Sequence, residues 1–251
     1  SLTDLGASFG MEKAPFAVSI PKTASGTVSF ISNNRWDVAG DTKITEAPLT
    51  EFMQAIGVAN VPGVVQNYKG GVNNAVRYVN AYPALNADLI YWVHHGIAPR
   101  LFKLIEFKTN PNVNQDIRLD FKVSFSDPVK ILAEDFNNPS GKKIWDKQNL
   151  MRTNKQVEIR RADGLDNSKR GIGFKDFFIW DSGNEALRQI KSQTINIEFN
   201  SQLDGTFIFT KIIPKTFFAT AVYPVFTDVV STFNPDAGSP GTNTIDGEVG
   251  H

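Results

Sequence analysis

The residues with the most chemical reach are spread along the chain, and the catalytic patterns they touch lack the local context that catalysis needs. Only three histidines occur, and His94 and His95 are adjacent. Neighbours on a strand point to opposite faces, so the pair cannot easily ligate one metal, and no His-Glu-x-x-His spacing supports it. The string "GASFG" places Gly6, Ser8 and Gly10 in a Gly-x-Ser-x-Gly pattern. A nucleophile elbow needs a buried strand before that serine and a helix after it, whereas "SLTDL" and "MEKAPF" read as an arm. "SGKK" lacks the first glycine of a phosphate-binding loop, and no G-x-G-x-x-G opens a helix. "DGLDNS" gathers Asp163, Asp166, Asn167 and Ser168, hard oxygen donors suited to calcium, without the spacing of an EF-hand and without its terminal glutamate. A hydrolase has the least support, since it would require a cleft with two convergent carboxylates and at least one raised pKa. The expectation is a protein that is not an enzyme and holds no cofactor or metal.

Two further patterns concern binding. Trp36 and Trp145 sit in polar surroundings ("NNRWD", "KKIWDK") and form the candidate exposed platform for stacking a sugar, whereas Trp92 and Trp180 lie in apolar runs and read as core. Charge is also segregated. From Gly141 to Arg170 nine basic residues, among them Lys142, Lys143, Lys147, Arg152 and Lys155, face four acids, a net +5. From Asp228 onward Asp228, Asp236, Asp246 and Glu248 stand without a lysine or arginine, a net −4. Opposite runs of this kind can attract each other within a copy or between copies. Nucleic acid is a further candidate partner for residues 141–170, although the aromatic interleaving of single-strand binders is missing.

The totals frame these patterns. The 251 residues carry 26 basic and 26 acidic side chains, so no global field recruits a polyanion. There are no cysteines, which excludes disulfides, thiolate catalysis and cysteine-ligated zinc. The N-terminal residues lack the basic and apolar regions of a secretory signal, and no apolar stretch is long enough to span a membrane, so synthesis in a reducing cytoplasm is expected.

The elements that must carry these residues read mostly as short strands. "DIRLDFKVSF" alternates Ile117, Leu119, Phe121, Val123 and Phe125 with Arg118, Asp120, Lys122 and Ser124. "LFKLIEFK" at 101–108, "QTINIEFN" at 193–200 and "GTFIFTKI" at 205–212 show the same period, and "PFAVSI", "GTVSFIS", "DLIYWV", "QVEIRR" and "GFKDFFIW" show it more weakly. About a dozen such runs between Gly, Pro, Asn and Asp turns predict an all-β, antiparallel sandwich of jelly-roll type, either one elaborated roll or two tandem rolls. Three short helices are expected in loops. Leu49, Phe52, Met53 and Ile56 follow Pro48 at helical spacing. Ser182 and Glu185 form a capping box before Ala186, Leu187 and Ile190, and a third helix would start near Asn73 or Asn74 and end before Pro83. The triplet Ile105-Glu106-Phe107 recurs as Ile197-Glu198-Phe199, each followed by a polar turn and a second alternating strand, suggesting a duplicated β-roll of two jelly-roll-like halves joined near Ser126, Asp127 and Pro128, or else only the likeness of any two antiparallel hairpins.

The expected organisation is an N-terminal arm over 1–13, β-rich halves over 14–127 and 128–230 that can form one domain, and a C-terminal arm over 231–251. "FNPDAGSPGTNTIDGEVGH" buries too little apolar area to offset an ordering cost of about 1 to 2 kcal/mol per residue. Order in such a tail requires a surface outside it. Arms flanking a Phe-rich β body suit a structural, self-assembling protein, a virus or phage capsid subunit whose partners are its own copies and other proteins of the virion. The alternative is a carbohydrate-binding β-sandwich that uses Trp36, Trp145 and the acidic turn.

Overall fold

The computed structural model describes residues 1–11, 16–32, 49–94, 100–135, 138–162, 172–175, 177–184, 187 and 189–233. In chain order the strands are β1 (Thr3–Asp4), β2 (Ser8–Met11), β3 (Phe16–Pro21), β4 (Thr27–Ser32), β5 (Thr50–Ala55), β6 (Gly63–Tyr68) and β7 (Gly71–Tyr82). After a 3₁₀ turn at Pro83–Leu85 come β8 (Ala87–His94), β9 (Arg100–Phe107), β10 (Ile117–Phe125), β11 (Val129–Asp135), β12 (Asn138–Ile144), β13 (Met151–Thr153) and β14 (Val157–Arg161). The rest are β15 (Ile172–Lys175), β16 (Phe178–Trp180), β17 (Ser192–Thr194), β18 (Asn196–Ser201) and β19 (Phe207–Ile213), then the four-residue helix α1 (Lys215–Phe218), β20 (Val225–Thr227) and β21 (Val230–Phe233).

The protein is an all-β sandwich of two antiparallel sheets. The first runs β1-β2-β3-β4-β5-β10-β19-β18-β13. The second runs β12-β11-β14-β15-β21-β9-β20-β16-β17, and β8, β7 and β6 extend it from the other side of β9. The second sheet therefore forks at β9. One edge of that strand pairs along its length with β8, and the other is shared by β21 at Leu101 and Phe102 and by β20 at Ile105 to Phe107. Both sheets draw strands from either side of residue 127, as β10 pairs with β19 and β9 with β20.

The alternation in β10 does what period two requires. Ile117, Leu119, Phe121 and Val123 are buried, while Arg118 and Lys122 point outward. The phenylalanines meet between the sheets. Phe121, Phe199 and Phe209 come from the first, Phe174 and Phe177 from the side of the second, and Phe209 touches the other four with ring centroids 5.1 to 6.4 Å apart. Strand β8 is buried on both faces: Leu89, Tyr91 and Val93 enter the main core, and Ile90 and Trp92 join Ala75 and Leu104 in a smaller outer cluster.

The helix expectations require correction. Residues 50–55 form β5, not a helix, so Glu51, Met53 and Ala55 turn inward while Phe52 and Ile56 are exposed. Strand pairing with β4 and β10 overrides the helical spacing of four apolar residues. The stretch near Asn73 is β7, rich in valine and tyrosine and paired on both sides. At the third place Leu187 is exposed, Ser182 Oγ donates to the Pro224 carbonyl at 2.6 Å instead of capping, and Glu185 and Ala186 lie outside the described residues. The suggested duplication also fails as a hairpin. β18 pairs with β19, whereas β9 and β10, which follow each other in the same way, belong to different sheets.

Candidate functional site

Four of the nine basic side chains of the run, Lys147, Arg152, Arg160 and Arg161, are engaged within the chain. Arg152 donates to Glu198 from Nε at 2.8 Å and from Nη2, and Arg118 reaches the other carboxylate oxygen. Burial alone would favour protonated Glu198, but the two guanidiniums outweigh it and hold its carboxyl below the usual range. Arg161 pairs with Asp127 and Arg160 with Glu158. Lys147 Nζ donates to the Val129 carbonyl at 2.6 Å. Lys155 is exposed, and Lys142 and Lys143 belong to β12, where only the backbone is described. Asp236, Asp246 and Glu248 of the tail lie outside the described residues, as do Asp163, Asp166, Asn167 and Ser168 of the acidic turn, His95 and His251. Asp228 is described and buried between β20 and β21, so it belongs to the body and not to the tail.

The tryptophan reading is partly reversed. Trp145 is buried, with its indole N–H donated to the Asn149 carbonyl at 2.7 Å and its ring against Phe199 and Phe207. Asp146 beside it is exposed while the ring turns in, so it offers no stacking face. Trp36 lies outside the described residues. The aromatic surface sits instead on the outer face of the second sheet. Trp92 stacks on Phe102 at 4.2 Å and leans on Tyr68, with His94 edge-on. Trp180 stacks on Phe226 at 5.7 Å. Tyr68, Lys69, Trp180, Ser182 and Phe226 line a shallow depression, and its floor is fixed by Asp181, whose carboxylate accepts backbone N–H bonds from Gly183, Lys191 and Val222. Burial, helped by the charges of Glu106 and Asp228, pushes the Tyr68 phenol up to about 12, so it is a neutral donor at physiological pH.

Ser8 is placed in β2, between β1 and β3, where its hydroxyl accepts from Ser19 Oγ at 2.8 Å, and the next described element is the strand β3. The elbow geometry is thus absent at that serine. Among the described residues no three His, Asp or Glu side chains converge as a metal site.

The residues that sequence reasoning missed lie between the sheets. Glu51 on β5, Lys103 on β9 and Ser231 on β21 are each 0 to 1% exposed. Lys103 Nζ is 3.0 Å from Glu51 Oε1 and also donates to Ser231 Oγ, which in turn donates to Glu51 Oε2 at 2.8 Å. Lys211, fully buried on β19, donates to the Lys103 carbonyl at 2.8 Å. A signal was available: in "LFKLIEFK" Lys103 falls on the same face as Leu101, Ile105 and Phe107, and in "GTFIFTKI" Lys211 falls with Phe207 and Phe209. Helical spacing of Leu49, Phe52, Met53 and Ile56 gives no sign that Glu51 between them is buried.

Compared with known proteins, the sequence matches no protein-family model, and none of the curated proteins matches it significantly. Among the described residues no helix is long and apolar enough to cross a membrane.

Proposed function

We propose that the chain is a structural subunit that assembles with copies of itself into a shell of the virus or phage capsid kind, with a sandwich of jelly-roll type and terminal segments that tie neighbours together. The observation that carries this reading is the placement of the N-terminal segment. Residues 1–11 add to the edge of the nine-stranded sheet by β2–β3 pairing, and Leu2 is buried against the body. A segment attached by edge pairing can exchange into the same edge of another copy with every hydrogen bond kept, which is how strand addition links subunits. Among the described residues β6, β12, β13 and β17 each have one strand partner and end their sheets, leaving further edges for addition. In the same reading the acidic residues Asp236, Asp246 and Glu248 engage Lys155 and the neighbouring lysines of an adjacent copy, the other partners are proteins of the same particle, and the protein resides in the virion.

Light scattering with negative-stain imaging tests the proposal. Full-length protein should give large regular particles, and chains lacking residues 1–11 or 234–251 should stay folded but fail to assemble. A full-length monomer at the chain mass of 27.7 kDa overturns it. If the tail pairs with the basic residues, assembly should weaken as salt rises, because screening shortens the reach of exposed charges to about 8 to 10 Å at physiological ionic strength.

One observation favours a second reading, recognition of carbohydrate. The stacked Trp180–Phe226 pair beside Tyr68, Lys69 and Ser182 combines an aromatic face with hydrogen-bonding groups, the combination that binds sugars. It predicts a change in tryptophan fluorescence on titration with glycans that is lost in Trp180→Ala. No response across a panel of neutral and acidic oligosaccharides rejects it.

A further inference from the structure

The contact between Lys103 and Glu51 joins an amine to a carboxyl group in a place where neither is hydrated. Glu51 projects from the first sheet and Lys103 from the second, so the pair spans the sandwich core. Both side chains are 1% exposed. Glu51 Oε1 lies 3.0 Å from Lys103 Nζ yet accepts no aligned hydrogen bond, while Oε2 is held by the Ser231 hydroxyl. The Phe174 ring lies 5.1 Å from the same nitrogen, and Lys211 donates to the Lys103 carbonyl at 2.8 Å. We propose that Lys103 and Glu51 condense spontaneously to a side-chain amide, a covalent staple between the two sheets.

The physical case has three parts. In water the ammonium and carboxylate are stabilised by hydration, which opposes their condensation. In the core that hydration is gone, and a buried ion pair bears a desolvation penalty that its mutual attraction does not always offset. Replacing two buried charges by one neutral amide removes the penalty. Proximity is already provided, because the amine and the carboxyl group are held at the separation where reacting groups behave as a unimolecular pair. Finally, Ser231 is placed for the chemistry. Its O–H donates to Oε2, where negative charge develops when the carbon becomes tetrahedral.

The step balances within the pair. A proton moves from the Lys103 ammonium to Glu51 Oε1, giving a neutral amine and a neutral acid. The Nζ lone pair then attacks Cδ, the N–C bond forms, the C–Oε1 bond breaks, and the oxygen leaves as water with the proton it received and one lost by nitrogen. No oxidant or activating co-reactant enters.

The test is the intact mass of the denatured full-length protein. It should be one water lighter than the sequence requires, and a tryptic digest should contain residues 44–69 joined to 101–108, with the bond after Lys103 uncut. Tandem fragmentation must place the lost water between Glu51 and Lys103. Loss of water within an Asp-Gly peptide, such as that containing Asp204 and Gly205, would refute the assignment, as would the full sequence mass with free 101–103 and 104–108 peptides. Lys103→Met and Glu51→Leu should each restore the full mass. If either fails to fold, the wild-type mass and its cross-linked peptide decide alone. Ser231→Ala should slow the appearance of the lighter species after refolding.

Discussion

Lys211→Met should erase a rise in stability with pH that the native protein is expected to show. Lys211 is fully buried on β19, and burial brings its ammonium from 10.5 down to about 7, with Asp228 opposing the shift and Lys103 adding to it. The sign follows from proton counting. Below about pH 7 both folded and unfolded chains hold the proton, and the fold bears the whole cost of a buried cation. Between about pH 7 and pH 10 the unfolded chain binds more protons than the folded one, so stability rises with pH. A tenfold change in proton affinity corresponds to about 1.4 kcal/mol, and this interval covers roughly a thousandfold, so the gain is on the order of 4 kcal/mol. Above about pH 10 unfolding is favoured again, because tyrosines released from the core ionise while buried Tyr78, Tyr82 and Tyr91 resist it. Urea unfolding at a series of pH values reads the slope directly, and methionine supplies a similar volume without the charge. A wild-type profile that is flat or falling over this interval, or an unchanged slope in Lys211→Met, would refute the reasoning. The direction survives condensation of Lys103 with Glu51, because burial is the leading cause.

Further expectations follow from the packing and the surface pairs. Phe209→Ala removes the ring at the centre of the aromatic cluster and should cost about 3 to 5 kcal/mol in chemical denaturation. Glu198 has a depressed carboxyl, so its contribution is present above the ordinary glutamate range and lost as pH falls through the lowered folded value; Glu198→Gln should flatten the acid limb of the stability curve. Arg152→Ala should cost only about 0.5 to 1 kcal/mol, because Arg152 is half exposed and Arg118 still holds the carboxylate. Gly63→Ala should destabilise, since an added methyl would meet the Tyr78 ring and a Val76 methyl at 2.7 Å, and the thermal midpoint should fall.

Strand content was legible wherever one face is wet. β10 could be read residue by residue because Arg118 and Lys122 mark its outer side. It failed where helical spacing arose by chance in a strand. Leu49, Phe52, Met53 and Ile56 carry no label for the neighbours that pair with them, and β4 and β10, the partners that decide the matter, lie about twenty and seventy residues away. Trp145 shows the same limit from another side, since polar neighbours along the chain say little about where a ring points just past the end of a strand. The Lys103 and Lys211 pattern was visible as two lysines on apolar faces. The partner of Lys103 is not visible in the same way, because Glu51 reaches it only across the gap between sheets.

The fork at β9 also bears on how the chain is made. Residues 100–107 are synthesised early, yet one edge of that strand is completed by 225–227 and 230–233. Until those late residues leave the ribosome, the nascent protein carries a long, apolar β8–β9 pairing with an open side, the kind of surface that invites wrong partners and chaperones. Closure of the second sheet is therefore a late event of biosynthesis, and a chain truncated before Val225 is expected to accumulate as an aggregation-prone half-sheet and not as a smaller folded protein.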